Sequence, residues 1–135
     1  MYFVTNRKLY SKRPGLKLFG DTPNPRGANE LRLVKVEGKN SASYRAEVLM
    51  DKLSKAEVEQ LAADYQLPID TSGDWYASLK VACALYKQAC DERKSILFFV
   101  HGYNNDVEDV YKTALELEKR YGVIVVPVTW PANGG

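Results

Sequence analysis

SILFFVHGYNN, residues Ser95 to Asn105, is the stretch on which the reading of the chain turns. Ile96, Leu97, Phe98, Phe99 and Val100 form a near-continuous apolar run, the pattern of a strand in a parallel sheet that is covered on both faces. His101-Gly102 follows at once, and then a helix start. A glycine directly after a buried strand lets the backbone turn sharply with its N–H groups facing open space, and the next helix adds the positive end of its dipole. Acyl-transfer enzymes aim such donors at the oxygen that becomes negative in the transition state. The candidate oxyanion donor is therefore the backbone N–H of Tyr103, with Asn104 beside it and Gly102 permitting the turn.

Working outward, Asn105 and Glu108 form a capping-box pair, and Val107, Val110, Tyr111, Ala114, Leu117 and Tyr121 fall on one side of a helix that stops at Gly122. Val123 to Thr129 is again an apolar strand. Strand, helix and strand with such short connections make a βαβ unit over residues 95–130, whose crossover is right-handed and whose strands are parallel. The expected fold class is α/β, with a strand and hairpin region at the N-terminus. Pro127 conflicts with a central strand, since it removes a ladder N–H and is expected on an edge or at a bulge.

Upstream, Tyr2 to Thr5 is β-prone, and residues 6–29 read as a Gly/Pro-rich loop longer than an ordinary connection. Glu30 to Glu37 alternates as a half-buried strand, Gly38 to Ser41 supplies a turn, and Tyr44 to Met50 is a partner strand with Tyr44, Ala46, Val48 and Met50 on one face. Ser54 and Glu57 predict a capped helix with Val58, Leu61 and Ala62 as its apolar stripe. A second helix is expected from Asp74, as N-cap, to about Arg93, burying Trp75, Leu79, Ala82, Cys83, Tyr86 and Cys90.

At 135 residues, 45% hydrophobic and 27% charged, the chain is the size of one globular domain, and a single domain over 1–135 is expected, basic and β-rich to residue 50 and α/β thereafter. The net charge of +2 conceals an asymmetry. Residues 1–50 carry ten Lys/Arg against four Asp/Glu, and residues 51–135 nine against thirteen. Arg7, Lys8, Lys12, Arg13 and Lys17 interleave with Tyr2, Phe3, Tyr10 and Phe19, a pattern that tracks phosphates and stacks bases, yet a solvated loop beside an edge strand explains it too. The charge is spread rather than clustered, which makes nucleic acid the weaker reading. Asp106, Glu108 and Asp109 would repel an anion at the helix start, and neither phosphate-binding glycine motif is present. The apolar runs are far shorter than a membrane span and no signal-peptide core opens the sequence, so a cytoplasmic protein away from membranes is expected. Cys83 and Cys90 are seven residues apart on a helix, beyond disulfide reach, and are read as two buried thiols; with one His and no Cys-x-x-Cys, no metal and no cofactor is expected.

Each candidate has a plainer alternative. His101 can be a general base, although no local Ser, Cys or carboxylate accompanies it, or it can fix the turn by hydrogen-bonding the backbone. The His101-Gly102 pair can also be an ordinary βα turn. Asn104 and Asn105 can donate side-chain N–H groups or simply cap the helix. Trp130, in Trp130-Pro131 at the carboxyl edge of the sheet, can line a substrate pocket or cover the strand end.

Phe3-Val4-Thr5-Asn6-Arg7, Leu97 to Asn105 (LFFVHGYNN) and Val128-Thr129-Trp130-Pro131 together resemble a bacterial family of α/β-hydrolases of unassigned substrate. The resemblance covers mainly residues 95–131. It implies a partial α/β-hydrolase-like sheet, with Ile96 to Val100 as the strand before the oxyanion loop, Tyr103 as the position whose N–H serves the oxyanion hole, and ester, thioester or amide hydrolysis through a Ser nucleophile. No Ser of this sequence stands in a Gly-x-Ser-x-Gly frame. The chain is thus expected to be an N-terminal portion, inactive alone, or a truncated relative put to another use.

In such a sheet the strand at 96–100 would normally lie beside the nucleophile strand, so its outer edge is expected to be bare. The expected partner is a second copy of the chain or a completing polypeptide paired through that edge, with a small acyl substrate only when the fold is completed. The rival expectation is a non-catalytic protein-interaction module that uses the open edge.

Overall fold

The computed structural model describes residues 1–49, 51–102 and 106–131. Five strands form a mixed sheet in the order β5-β4-β1-β7-β6: β1 (Tyr2–Thr5), β4 (Arg32–Glu37), β5 (Arg45–Val48), β6 (Ile96–Val100) and β7 (Ile124–Thr129). The β4–β5 hairpin and the β1–β4 pair are antiparallel, whereas β7 runs parallel to both β1 and β6. The expected α/β class and the parallel βαβ unit are therefore present, with α3 (Val107–Tyr121) as the crossover helix. Its last turn closes on Gly122, whose φ of +61° is the left-handed conformation that glycine adopts without cost. Tyr44 begins the inward row of β5 with Ala46 and Val48; Met50 lies outside the described residues.

Residues 6–29 correct the expectation of one long loop. Arg7–Leu9 (β2) and Phe19–Pro23 (β3) pair antiparallel as a separate two-stranded ribbon, joined through a 3-10 turn at Gly15–Leu18. Of the Gly and Pro residues that suggested irregular chain, Pro14 and Gly15 open the turn, Gly20 lies within β3 and Pro23 ends it. Tyr10, in this ribbon, has the guanidinium of Arg13 3.6 Å from its ring centroid and the Lys8 ammonium 5.0 Å from it.

The core of this part of the molecule lies between the sheet and α3. Phe3, Val34 and Val36 are fully buried and meet Val107, Val110 and Tyr111 from the helix. Phe3 contacts the rings of Phe19 and Tyr111 at centroid distances of 5.6 and 5.9 Å, the tilted range that suits aromatic quadrupoles. The Tyr111 hydroxyl donates to the Gly38 carbonyl at 2.7 Å, so its polar tip is satisfied where the chain turns between β4 and β5.

Pro127 is accommodated by phase rather than by an edge. Ile124 N–H donates to the Ser95 carbonyl, so with a period of two the even-numbered amides of β7 face β6 and the odd-numbered ones face β1. Pro127 thus removes no bond from the β6–β7 ladder. Pairing with β1 begins only at Val128, one residue later, and the odd-numbered amide before the proline, that of Val125, is taken by the Glu118 carboxylate of α3 at 2.9 Å.

Contacts divide the chain into two compact units, one of residues 1–49 and 95–135, the other of residues 50–94. The second unit contains α1 (Lys55–Tyr65) and α2 (Ala77–Glu92). Ser54 and Glu57 form the expected capping box at α1. The start of α2 is a correction: Asp74 is not its cap, because its carboxylate pairs with Lys52 at 2.9 Å while Trp75 and Tyr76 hold extended chain against Leu53 and Lys52. The helix begins only after Tyr76, which makes no side-chain cap. The buried face of α2 also differs, with Ala77, Val81, Cys83 and Leu85 inside and Ala82, Tyr86 and Cys90 exposed. Apolar residues surround this helix on nearly all sides, so periodicity did not select one face. Only Cys83 is a buried thiol; both cysteines are free.

Candidate functional site

Strands β1, β7 and β6 are mutually parallel, so their carboxyl ends, Thr5, Thr129 and Val100, meet at one edge of the sheet. Open α/β sheets bind ligands at this edge. His101 leaves β6 here and is 5% exposed. Its Nδ1 lies 2.7 Å from the Gly102 carbonyl, and its Nε2 receives the backbone N–H of Trp130 at 3.1 Å and sits 3.2 Å from the Thr129 hydroxyl.

These contacts settle the tautomer. A carbonyl only accepts and a backbone N–H only donates, so Nδ1 carries the proton and Nε2 accepts. The Thr129 hydroxyl then donates to Nε2. Both ring nitrogens are hydrogen-bonded within the fold. The indole of Trp130 stacks on the imidazole at 5.3 Å with 10° between the planes, and its Nε1–H donates to the His101 carbonyl at 3.3 Å. Trp130 is half-buried and closes the end of the strand over His101.

The structure adds a residue that the sequence had placed in a solvated or phosphate-tracking basic stretch. Arg7 is 1% exposed. Its Nε–H donates to the Thr129 hydroxyl at 3.1 Å, one Nη donates to the Gly20 carbonyl at 3.0 Å, and the Asp21 carboxylate lies 3.6 Å from the same nitrogen. Burial pulls the guanidinium below its ordinary pKa, an effect opposed by the charges of Asp21 and of Asp106. The Arg7 backbone N–H donates to the Thr5 hydroxyl, which in turn donates to the Thr129 carbonyl at 3.0 Å. Thr5 and Thr129 are fully buried. The motif Thr5-Asn6-Arg7 carried the signal: a Thr and an Arg two apart at a strand end, within reach of a second strand ending in Thr129.

Asp106 caps α3, accepting from the Asp109 N–H at 2.8 Å, so the cap falls one residue after the expected Asn105–Glu108 pair. Tyr103, Asn104 and Asn105 lie outside the described residues, and with them the two candidate oxyanion amides. Among the described residues no group of His, Cys, Asp and Glu could hold a metal ion, and no helix is long and apolar enough to cross a membrane.

Residues 80–135 match a family model described as an alpha/beta hydrolase of unknown function (DUF900). The match begins within α2 and takes in β6, His101-Gly102, α3, β7 and Trp130. No curated protein and no solved structure matches the chain.

Proposed function

We propose, on the premise that residues 80–135 are those of an α/β-hydrolase family of unknown substrate, that this chain supplies the oxyanion loop of a serine hydrolase acting on an ester, thioester or amide. One observation carries the reading: the turn after β6 is fastened at the carboxyl edge of three parallel strands by a buried His101 whose ring acts only on the protein's own backbone and on Thr129. By the resemblance, the donor on this turn is the backbone N–H of Tyr103, a position outside the described residues. Such an amide, fixed before substrate arrives, is what an oxyanion requires. The nucleophile, acid and base would come from outside residues 1–135.

An alkyl fluorophosphonate probe and p-nitrophenyl acetate test this reading, applied to residues 1–135 and to the complete product of the gene. The expected result is no labelling and no turnover for residues 1–135, with both present in the complete product. Turnover by residues 1–135 alone, or a complete product that neither labels nor hydrolyses any acyl substrate, overturns it.

The β6 edge favours a second reading. The ladder phase turns the backbone groups of Ile96, Phe98 and Val100 away from β7, and Phe98 and Val100 are 65% and 64% exposed. Among the described residues no strand pairs with that side. A long apolar edge of this kind templates another strand, so residues 1–135 would associate through β6 whether or not they take part in catalysis. Light scattering should show association that Phe98→Lys abolishes; a monomer at all concentrations, with rapidly exchanging amides at 96, 98 and 100, contradicts it.

A further inference from the structure

The hydroxyl of Thr129 has one proton, and two neighbours decide where it goes. Arg7 Nε–H can only donate, and it donates to Thr129 Oγ1 at 3.1 Å. His101 Nε2 lies 3.2 Å from the same oxygen. With Arg7 donating to the oxygen, the hydroxyl turns its proton toward Nε2, where it joins the Trp130 backbone N–H as a second donor to that acceptor. The ring proton is then on Nδ1, facing the Gly102 carbonyl at 2.7 Å.

We propose that Arg7 is a positioning residue for the His101-Gly102 turn, acting through Thr129 to direct a one-way hydrogen-bond relay from the guanidinium to the Gly102 carbonyl. The functional meaning of the relay rests on the oxyanion reading above; the relay itself does not. It begins on a buried cation that is donor only and ends on a carbonyl that is acceptor only, so its direction cannot reverse. A relay polarised from one end in a low-dielectric interior strengthens each bond in it. Desolvating a guanidinium is costly, which makes Arg7 an expensive choice for packing alone. Its Nη contact with the Gly20 carbonyl and its proximity to Asp21 hold the planar group so that Nε meets Thr129.

His101 is the only histidine of the chain, so ring-labelled ¹⁵N-histidine gives one pair of imidazole signals to read. A single tautomer separates the two ring ¹⁵N resonances widely, and mixing of tautomers collapses that separation. The wild-type chain is expected to show wide separation with the proton on Nδ1. The Trp130 N–H and the Gly102 carbonyl keep the proton on Nδ1 in every variant. Arg7→Met and Thr129→Val should each widen the separation further, as Nε2 loses its second donor, and Thr129→Ser, which restores the hydroxyl, should return it to the wild-type value. If Arg7→Met does not fold, Thr129→Val against Thr129→Ser carries the test, since valine matches threonine in shape. A proton on Nε2 in the wild type, or an unchanged separation in folded Arg7→Met and Thr129→Val, overturns the relay. Failure of the hydrolase reading is distinguishable: absent acyl turnover in the complete gene product leaves the imidazole spectrum where it is.

Discussion

The imidazole of His101 and the indole of Trp130 lie nearly parallel and are tied by two hydrogen bonds that Trp130 donates to His101, backbone N–H to Nε2 and indole N–H to carbonyl. The two residues follow neighbouring parallel strands, so their pairing fastens the exits of β6 and β7 to each other. Trp130→Phe keeps a ring over the imidazole but leaves the His101 carbonyl without the indole donor, a loss of about 1 kcal/mol. Trp130→Ala removes the ring as well and should cost more, toward ~3 kcal/mol. Urea unfolding should rank wild type above Phe above Ala; equal values for the two variants would show that the stack contributes nothing.

Arg7 and its basic neighbours should separate sharply. Arg7→Ala leaves the Gly20 carbonyl and the Thr129 hydroxyl without their buried donor and should lose roughly 3 kcal/mol or more. Lys12 and Lys17 are exposed, and alanine at either should change stability by no more than ~0.5 kcal/mol. Thermal unfolding of the three variants checks this, and similar small shifts in all three would return Arg7 to the solvated stretch in which the sequence placed it.

Much of the scaffold was legible because its signals are local. Ser54 with Glu57, Gly122 after the last turn of α3, and the apolar runs at 96–100 and 123–129 each announce their structure within a few residues. What escaped depended on residues far apart. Arg7 reads as one of five cations until β1 is set beside β7, 122 positions away, where Thr129 meets it. The pairing of β2 with β3 was hidden because strands this short offer no alternation to count. The start of α2 was misplaced because Asp74 is a good cap in isolation and its competitor, Lys52, is an ion pair that local sequence does not specify. The partners of His101 Nε2, Thr129 and Trp130, lie at the end of β7 and just beyond it, 28 and 29 positions away, where local sequence does not specify them.

Gly20 ties the ribbon to the site. A Cβ there would lie 2.7 Å from the Tyr10 ring and 2.8 Å from the Lys8 carbonyl, and the latter is backbone that cannot swing aside. Gly20→Ala should therefore push β3 from β2 and move the carbonyl that Arg7 uses, costing of order 1–3 kcal/mol as overpacking does. The His101 ring signals should broaden or shift with it. Wild-type unfolding and an unchanged imidazole spectrum would show that the ribbon does not support the turn.

The cap of α1 should titrate. Hydrogen bonds from the Ser54 backbone and side chain hold the Glu57 carboxyl below its ordinary 4.5. A carboxyl lowered in the folded state contributes stability that is fully present above its unfolded value and is lost as pH falls through the folded one. The contribution should thus fade below about pH 4.5, the reference value for that group. Glu57→Gln should flatten that part of the stability curve, and Ser54→Ala should cost about 1 kcal/mol near neutral pH. An identical acid limb in Glu57→Gln would contradict the assignment.

Hydrogen exchange at single amides tests the central claim most directly, comparing Tyr103 with Trp130 by NMR. The Trp130 amide is bonded to His101 Nε2 and should exchange slowly. The Tyr103 amide, if kept as a donor for an oxyanion not yet present, should exchange close to the rate of an unbonded N–H. Protection of Tyr103 equal to that of Trp130 would mean the fold consumes this donor itself, and the oxyanion reading would fall.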